Sequence, residues 1–437
     1  MRPSRFLALI LTAAGLSAQP SERPRVFAIR DARIVPVSGP EIAQGVVVLR
    51  DGLIASVGAA SEIPADAWII EGEGLSVYPG FIDSLSTLGM PDEKKFPPVY
   101  GKRPASGPDD RPATSTWALG VDHFAAENEA VETWRNGGFT SVAVAPRQGI
   151  LPGQVSLLNL DQRPVAGAVQ AKAGLLIQLN AERSRETGFP SSLFGAMSYV
   201  DQIFLDARQA QQAKAIYEES PAGLERPEYD RTLTPIVEVL ANNSPVLYPG
   251  NTEIELRRAL DRTAALSKRP VVYGAQQAYR DGVAKDLAEG AMQALVNLSW
   301  PEAPKDADPD AQVSARVLRF RSRAPTSPKA LSEASVTFGV YGSDAKSPKD
   351  LMDGLRKAIE AGLSAEAAVE ALTLGPARIY GVADRLGSLE AGKIANLVVY
   401  RDDPFAEKSR PVMVFVDGQK FDMPAESEAK EKEDDAE

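Results

Sequence analysis

The chain of 437 residues carries one histidine, His123, and no cysteine. Without cysteine there is no thiol nucleophile, no thiolate metal site and no disulfide. One imidazole cannot assemble a catalytic zinc site, which takes about three protein ligands and an open position. His123, in Leu119-Gly-Val-Asp-His-Phe124, therefore reads as a surface or capping histidine rather than a lone ligand. Ser-His-Asp catalysis would have to recruit that same residue, and no Gly-x-Ser-x-Gly elbow presents a serine. Ser343-Asp-Ala-Lys346 has the Ser-x-x-Lys form, but so does Ser427-Glu-Ala-Lys430, and the Lys-Thr-Gly and Ser-Asp-Asn partners are missing. Carboxylates remain. Asp83, Asp344 and a neighbour could suit a hard cation such as Mg²⁺ or Ca²⁺, although the stronger reading has Asp83 ordering a turn at a strand end. A glycosidase-like pair of carboxylates facing each other across a barrel mouth would leave no trace in the sequence.

The elements that would position these groups follow from the apolar patterning. Apolar residues make up 44% and charged residues 24%, the balance of a globular chain with a large core. The net charge of −11 argues against nucleic acid as a partner, because a phosphate backbone would be repelled. Short strand patterns broken by Gly and Pro run from Val26 to Val77, with Asp51-Gly52 as a hairpin turn. The same texture returns at Asn396–Tyr400 and Pro411–Val416, closed by Asp417-Gly418. Between these ends lie seven short apolar runs: Val77–Ile82, Thr140–Ala145, Leu175–Leu179, Pro245–Tyr248, Pro270–Tyr273, Ala294–Leu298 and Ser335–Tyr341. They have the composition of parallel strands covered by helices. Helical patterns intervene at Glu127–Asn136, Leu205–Glu219, Leu233–Ala241, Glu253–Ser267, Ala278–Glu289 and Leu351–Ala361. This alternation over about 300 residues predicts an α/β fold, a (β/α)8 TIM-like barrel, rather than an open sheet.

Three segments fall outside the barrel. Residues 1–18 read as a signal peptide: Arg2 and Arg5, then an apolar run over Phe6–Leu16, then Leu16-Ser17-Ala18 at the cut. That run is too short to span a bilayer, which needs about 20 apolar residues. It predicts export to the periplasm or secretion, with no membrane span. Pro91–Pro112 is rich in Pro, Gly and charge and predicts a long surface loop. The end of the chain, within 423–437, holds seven acids against two lysines in Ala425–Glu437 and predicts a disordered tail.

The run Ala371–Phe405, "ALTLGPARIYGVADRLGSLEAGKIANLVVYRDDPF", resembles the amidohydrolase superfamily, in particular its imidazolonepropionase-like members. Those carry a Thr-x-x-Pro-Ala helix, a Gly-Ser-Leu-Glu-x-Gly-Lys turn and an Ala-Asp-Leu-Val-Val strand there. Pro79-Gly-Phe-Ile-Asp83 is a second match, and Val340-Tyr-Gly-Ser-Asp344 is similar to the Gly-Thr-Asp that ends the last barrel strand. Pro146–Leu160 and Arg269–Arg280 also resemble the family. The resemblance implies one or two divalent metals at the barrel mouth, which polarise a carbonyl and activate a water. It implies as well where their ligands should stand. A His-x-His pair would follow Asp83, but those positions hold Leu85 and Thr87. The third histidine would fall at Tyr248 and the fourth near Tyr273-Gly274. Of the implied set only Asp344 is present, as a vestigial catalytic candidate. No metal site and no cofactor are therefore expected.

The resemblance also implies the domain plan: a β-sandwich composed of residues 24–76 and 384–422, and a barrel over 77–383. The functional expectation is a catalytically degenerate amidohydrolase paralogue that serves as partner or scaffold of an intact one, or assembles with itself. The alternatives are an active hydrolase of non-peptide C–N bonds and a ligand-binding module at the barrel mouth.

Overall fold

A computed structural model describes residues 25–91, 111, 113–161, 168–179, 190, 192–304, 312–342, 345 and 347–423. Residues 1–24 with the expected signal peptide, residues 92–110 of the expected surface loop, Ser343, Asp344, Lys346 and the acidic end from residue 424 lie outside the described residues.

Strands are numbered in chain order. The first five are β1 Val26–Ile34, β2 Ile42–Arg50, β3 Leu53–Gly58, β4 Trp68–Glu71 and β5 Ser76–Pro79. Eight more follow: β6 Phe81–Ser86, β7 Phe139–Val144, β8 Gly153–Asn159, β9 Ala168–Leu176, β10 Val246–Gly250, β11 Pro270–Gly274, β12 Gln293–Asn297 and β13 Phe338–Tyr341. The last three are β14 Leu397–Tyr400, β15 Pro411–Val416 and β16 Gln419–Asp422.

β6 to β13 form one eight-stranded sheet in chain order, a nearly closed barrel. Its two end strands meet at Gly339, where a Cβ would come within 2.5 Å of Ser84 Oγ. Seven of the strands run parallel, and five of them fall on apolar runs of the sequence. The run Leu175–Leu179 meets only the end of β9. Val77–Ile82 is split at Gly80, its first part being β5 of the second sheet and only Phe81 and Ile82 entering the barrel. The eighth corrects the simple β/α alternation: β8 pairs antiparallel with both β7 and β9. The cause is length. Residues 145–152 and 160–167 are each too short for a parallel crossover, which needs about a dozen residues or more.

Strand alternation sorts the barrel side chains into two sets. Ile82, Leu85, Leu247, Val271, Leu295 and Tyr341 belong to an interior cluster that Tyr380 joins from beyond the helix Leu374–Ile379. Phe81, Val144, Tyr248, Val272, Val296 and Val340 face the other way, into the layer under the helices. That layer is covered by helices that include Glu129–Asn136, Leu193–Glu219, Glu253–Leu266, Ser327–Glu333 and Pro348–Glu360.

The second sheet joins both ends of the chain, in the order β16-β15-β14-β5-β1-β2-β3 with β4 on β1. Its two Asp-Gly hairpin turns pack on each other. Asp51 and Gly52 have φ of 49° and 85°, Asp417 and Gly418 have 51° and 72°, as the tight turn that matches strand twist requires. A Cβ on Gly418 would lie 2.7 Å from the Gly52 Cα, so only glycine fits. The buried Asn396 side chain ties this sheet to the barrel, donating to Asn159 Oδ1 at 2.8 Å and Ser141 Oγ at 3.1 Å.

Candidate functional site

In a barrel of this type the mouth is built where the parallel strands end. β6 is buried along its whole length, and its register slips between Asp83 and Ser86. The slip turns Asp83 back on the chain: its Oδ1 accepts the Leu85 N–H at 3.5 Å, while Oδ2 has no partner among the described residues. Asp83 is fully buried. Desolvation pushes its carboxyl up to about 7, against the opposing pull of the Ser86 hydroxyl, the Leu85 N–H and the positive charge of Arg147. The expected turn-ordering role is thus in place. A carboxyl near neutrality also has the proton affinity that acid–base work needs, although this one has no contact with solvent.

The positions that the resemblance gives to metal ligands hold other chemistry. Leu85 is fully buried in the interior cluster, and Thr87 is exposed. Tyr248 requires a correction. It belongs to the outer layer, because alternation along β10 gives the inward places to Leu247 and Pro249. Burial raises its phenol above the usual range. Tyr273 does point inward, and its hydroxyl donates to the Ile177 carbonyl at 2.9 Å. Burial raises that phenol too, so it keeps its proton.

Two residues that the sequence did not single out complete the mouth. Tyr380 donates its hydroxyl to the Ser84 carbonyl, with its phenol raised by burial and then by the Asp83 charge. Arg147, just past the end of β7, donates to the Ser86 carbonyl at 3.4 Å, and its Nε is buried without a partner among the described residues. The charge of Arg147 is felt at Asp83, Tyr273 and Tyr380. A lone arginine in a loop carries no pattern; its only signal was its place in the Pro146–Leu160 segment.

These donors do not fit the implied metal. A hydrocarbon has no lone pair, an outward phenol turns its own away from the mouth, and a protonated phenol is a poor ligand for a borderline cation, while the guanidinium adds a charge that repels one. No group of three or more His, Asp or Glu side chains converges among the described residues. His123, half-buried in the short helix Gly120–His123, has an interaction of its own.

The longest sequence motif is structural. In Gly387–Lys393 the buried Lys393 bonds Ser388 and pairs with Glu390. The hydrogen bond from Lys393 is the first cause that holds the Glu390 carboxyl below its usual range.

Comparison with known proteins agrees with the fold. The Amidohydrolase family profile matches residues 275–420. The amidohydrolase tasK of Hapsidospora irregularis is 23% identical over 407 residues, which are 87% of this chain and 40% of that protein. The chain thus spans less than half the length of this curated relative. Among solved structures, an amidohydrolase from Thermotoga maritima MSB8 superposes with a TM-score of 0.73 at 22% identity, over 91% of this chain and all of that one. Phenylurea hydrolase B gives 0.55 at 17% identity, over 91% of this chain and 97% of that one. Residues 275–420 thus match the amidohydrolase family, and the fold of the chain is that of solved amidohydrolases.

Proposed function

We propose that this chain is an exported, catalytically degenerate member of the amidohydrolase superfamily that acts as partner or scaffold of an intact paralogue. In this reading a composite β-sandwich of residues 24–76 and 384–422 flanks a barrel of residues 77–383. One observation carries it: the first ligand position holds Leu85, packed among the interior apolar side chains. A metal there would need a donor where the barrel has built hydrocarbon. Association surfaces lie on outer helices and loops, so loss of ligands leaves them unaffected.

A second reading, a binding module that uses the mouth without turnover, is favoured by Arg147 and the buried Asp83. The third reading, hydrolysis of a non-peptide C–N bond, draws support from the likeness in fold to phenylurea hydrolase B.

Elemental analysis of the untagged, dialysed protein separates these readings. The expected result is no stoichiometric zinc, iron or manganese, with a histidine-bearing amidohydrolase paralogue co-purifying from native extract. Near one equivalent of such a metal would overturn degeneracy. A metal-free monomer that captures nothing would put the binding module first.

A further inference from the structure

The helix Ala315–Arg323, which follows the mouth end of β12, has no buried residue. It carries Arg316, Arg319, Arg321 and Arg323. Among the described residues none of the four forms an ion pair, although the chain as a whole has net charge −11. A nine-residue helix is marginal in water without tertiary packing. This one is held by the Ser314 cap, by Phe320 resting on the core, and by one further contact: Arg323 lies over the Tyr279 ring at 6.0 Å.

The other guanidinium at that ring is Arg280, at 5.7 Å. Tyr279 and Arg280 line a cavity of about 470 Å³ between the helices Val283–Glu289 and Ser327–Glu333. The Tyr279 hydroxyl and the Arg280 Nε lack hydrogen-bond partners among the described residues, a condition that buried polar groups rarely keep. Arg280 also approaches Glu253 at 3.8 Å. Ala278, Ala284, Ala288, Ala330 and Ala334 give the cavity an apolar floor. Asp281, Glu289 and Glu333 line it as well; Lys285 pairs with Glu289 at 3.5 Å and Lys329 with Glu333 at 3.8 Å.

We propose that this arginine helix and the adjoining alanine-floored cavity dock an acidic polypeptide segment with small apolar side chains. The proposal deepens the partner reading above by naming the surface and the partner's chemistry. Charge complementarity selects the occupant. A chain of net charge −11 is repelled as a whole by an anionic bilayer or a nucleic acid, whereas a short acidic segment meets only the local arginines within a screening length. The helix also lacks a membrane face, since Phe320 turns to the core and the exposed Val317 and Leu318 lie away from it.

A labelled Glu-Ala repeat peptide, titrated onto the full chain by fluorescence anisotropy, tests this. Saturable binding that weakens with salt is expected, and the variant Arg316→Glu/Arg319→Glu/Arg323→Glu should bind about tenfold more weakly. Arg208→Glu, on the long helix Leu193–Glu219, should bind as the parent does. Circular dichroism confirms that each variant is folded. Equal affinity in the triple variant would overturn the proposal. Capture by phosphatidylglycerol vesicles without peptide binding would overturn it in favour of a lipid surface. A gain in affinity for Asp306→Asn/Asp308→Asn/Asp310→Asn would also overturn it, by assigning the arginines to that neighbouring segment. If the triple variant loses the peptide but still co-purifies with a paralogue, the partner reading stands and docking uses another surface.

Discussion

Asp83 is where a single residue makes the mouth sensitive to pH. Its carboxyl stands at about 7 in the folded chain against 3.8 for the free group. Between those values the native state holds a proton that the unfolded chain has released, so stability falls as pH rises through the window. The contribution is complete below about pH 4 and lost above about pH 7. Asp83→Asn cannot ionise. Urea denaturation should find the variant more stable than the parent at pH 8, by up to about 4 kcal/mol less the cost of burying the amide, with the difference shrinking or reversing at pH 5. Parallel pH profiles for the two proteins would mean that Asp83 is solvated in a way its burial contradicts. At this scale the sequence was informative where a residue type excludes a role: Leu85 and Thr87 could be dismissed as ligands on sight. It was uninformative about direction. Tyr248 was assigned to the mouth because the strand-end position is legible, whereas the face it presents depends on register within the barrel.

Elements were legible in proportion to how local their signals are. The helical pattern Glu253–Ser267 forms as the helix Glu253–Leu266, started by a capping box of Thr252 and Glu255. The helix expected from Ala278 starts only at Val283, because Gly282 has φ of 78° and interrupts it. The long helix expected from Leu205 starts instead at Leu193, capped by the Ser192 hydroxyl, which accepts the Gly195 N–H at 3.1 Å. β8 escaped notice because Gly153–Asn159 is buried on both faces and so lacks an amphipathic period. The paired Asp-Gly turns make the sharpest prediction for an element. Gly418→Ala adds a methyl group at a positive φ and drives it to 2.7 Å from the Gly52 Cα. It should cost about 2 kcal/mol or more in chemical denaturation. Gly74→Ala, also at positive φ but with open space around it, should cost about 1 kcal/mol. Equal losses would show that backbone strain alone, and not the meeting of the two turns, sets the requirement.

At the scale of the molecule, the question is whether the composite sheet and the barrel unfold separately. Among the contacts that couple them, three matter most. The Tyr400 ring of β14 stacks on Phe81 of β6 with centroids 6.1 Å apart. Asn396 bonds Ser141 and Asn159 inside the barrel sheet and accepts the Asp417 N–H at 2.7 Å. β5 and β6 are separated by Gly80 alone, whose N–H donates to the Asn396 carbonyl at 3.0 Å and where a Cβ would strike the Thr140 side chain. A rigid one-residue joint and a buried polar network leave no linker across which one sheet could melt first. Urea unfolding followed by far-UV circular dichroism and by tryptophan fluorescence should therefore give coincident transitions. Trp68 reports on the composite sheet and the buried Trp134 on the layer around the barrel. Asn396→Leu takes a donor from Ser141 Oγ, leaves Asn159 Oδ1 with the Ser141 hydroxyl alone and strips the Asp417 N–H of its acceptor. It should shift both curves together, by about 2 kcal/mol. If one probe moves while the other stays, the coupling does not run through Asn396, and the two sheets are independent folding units joined only by chain.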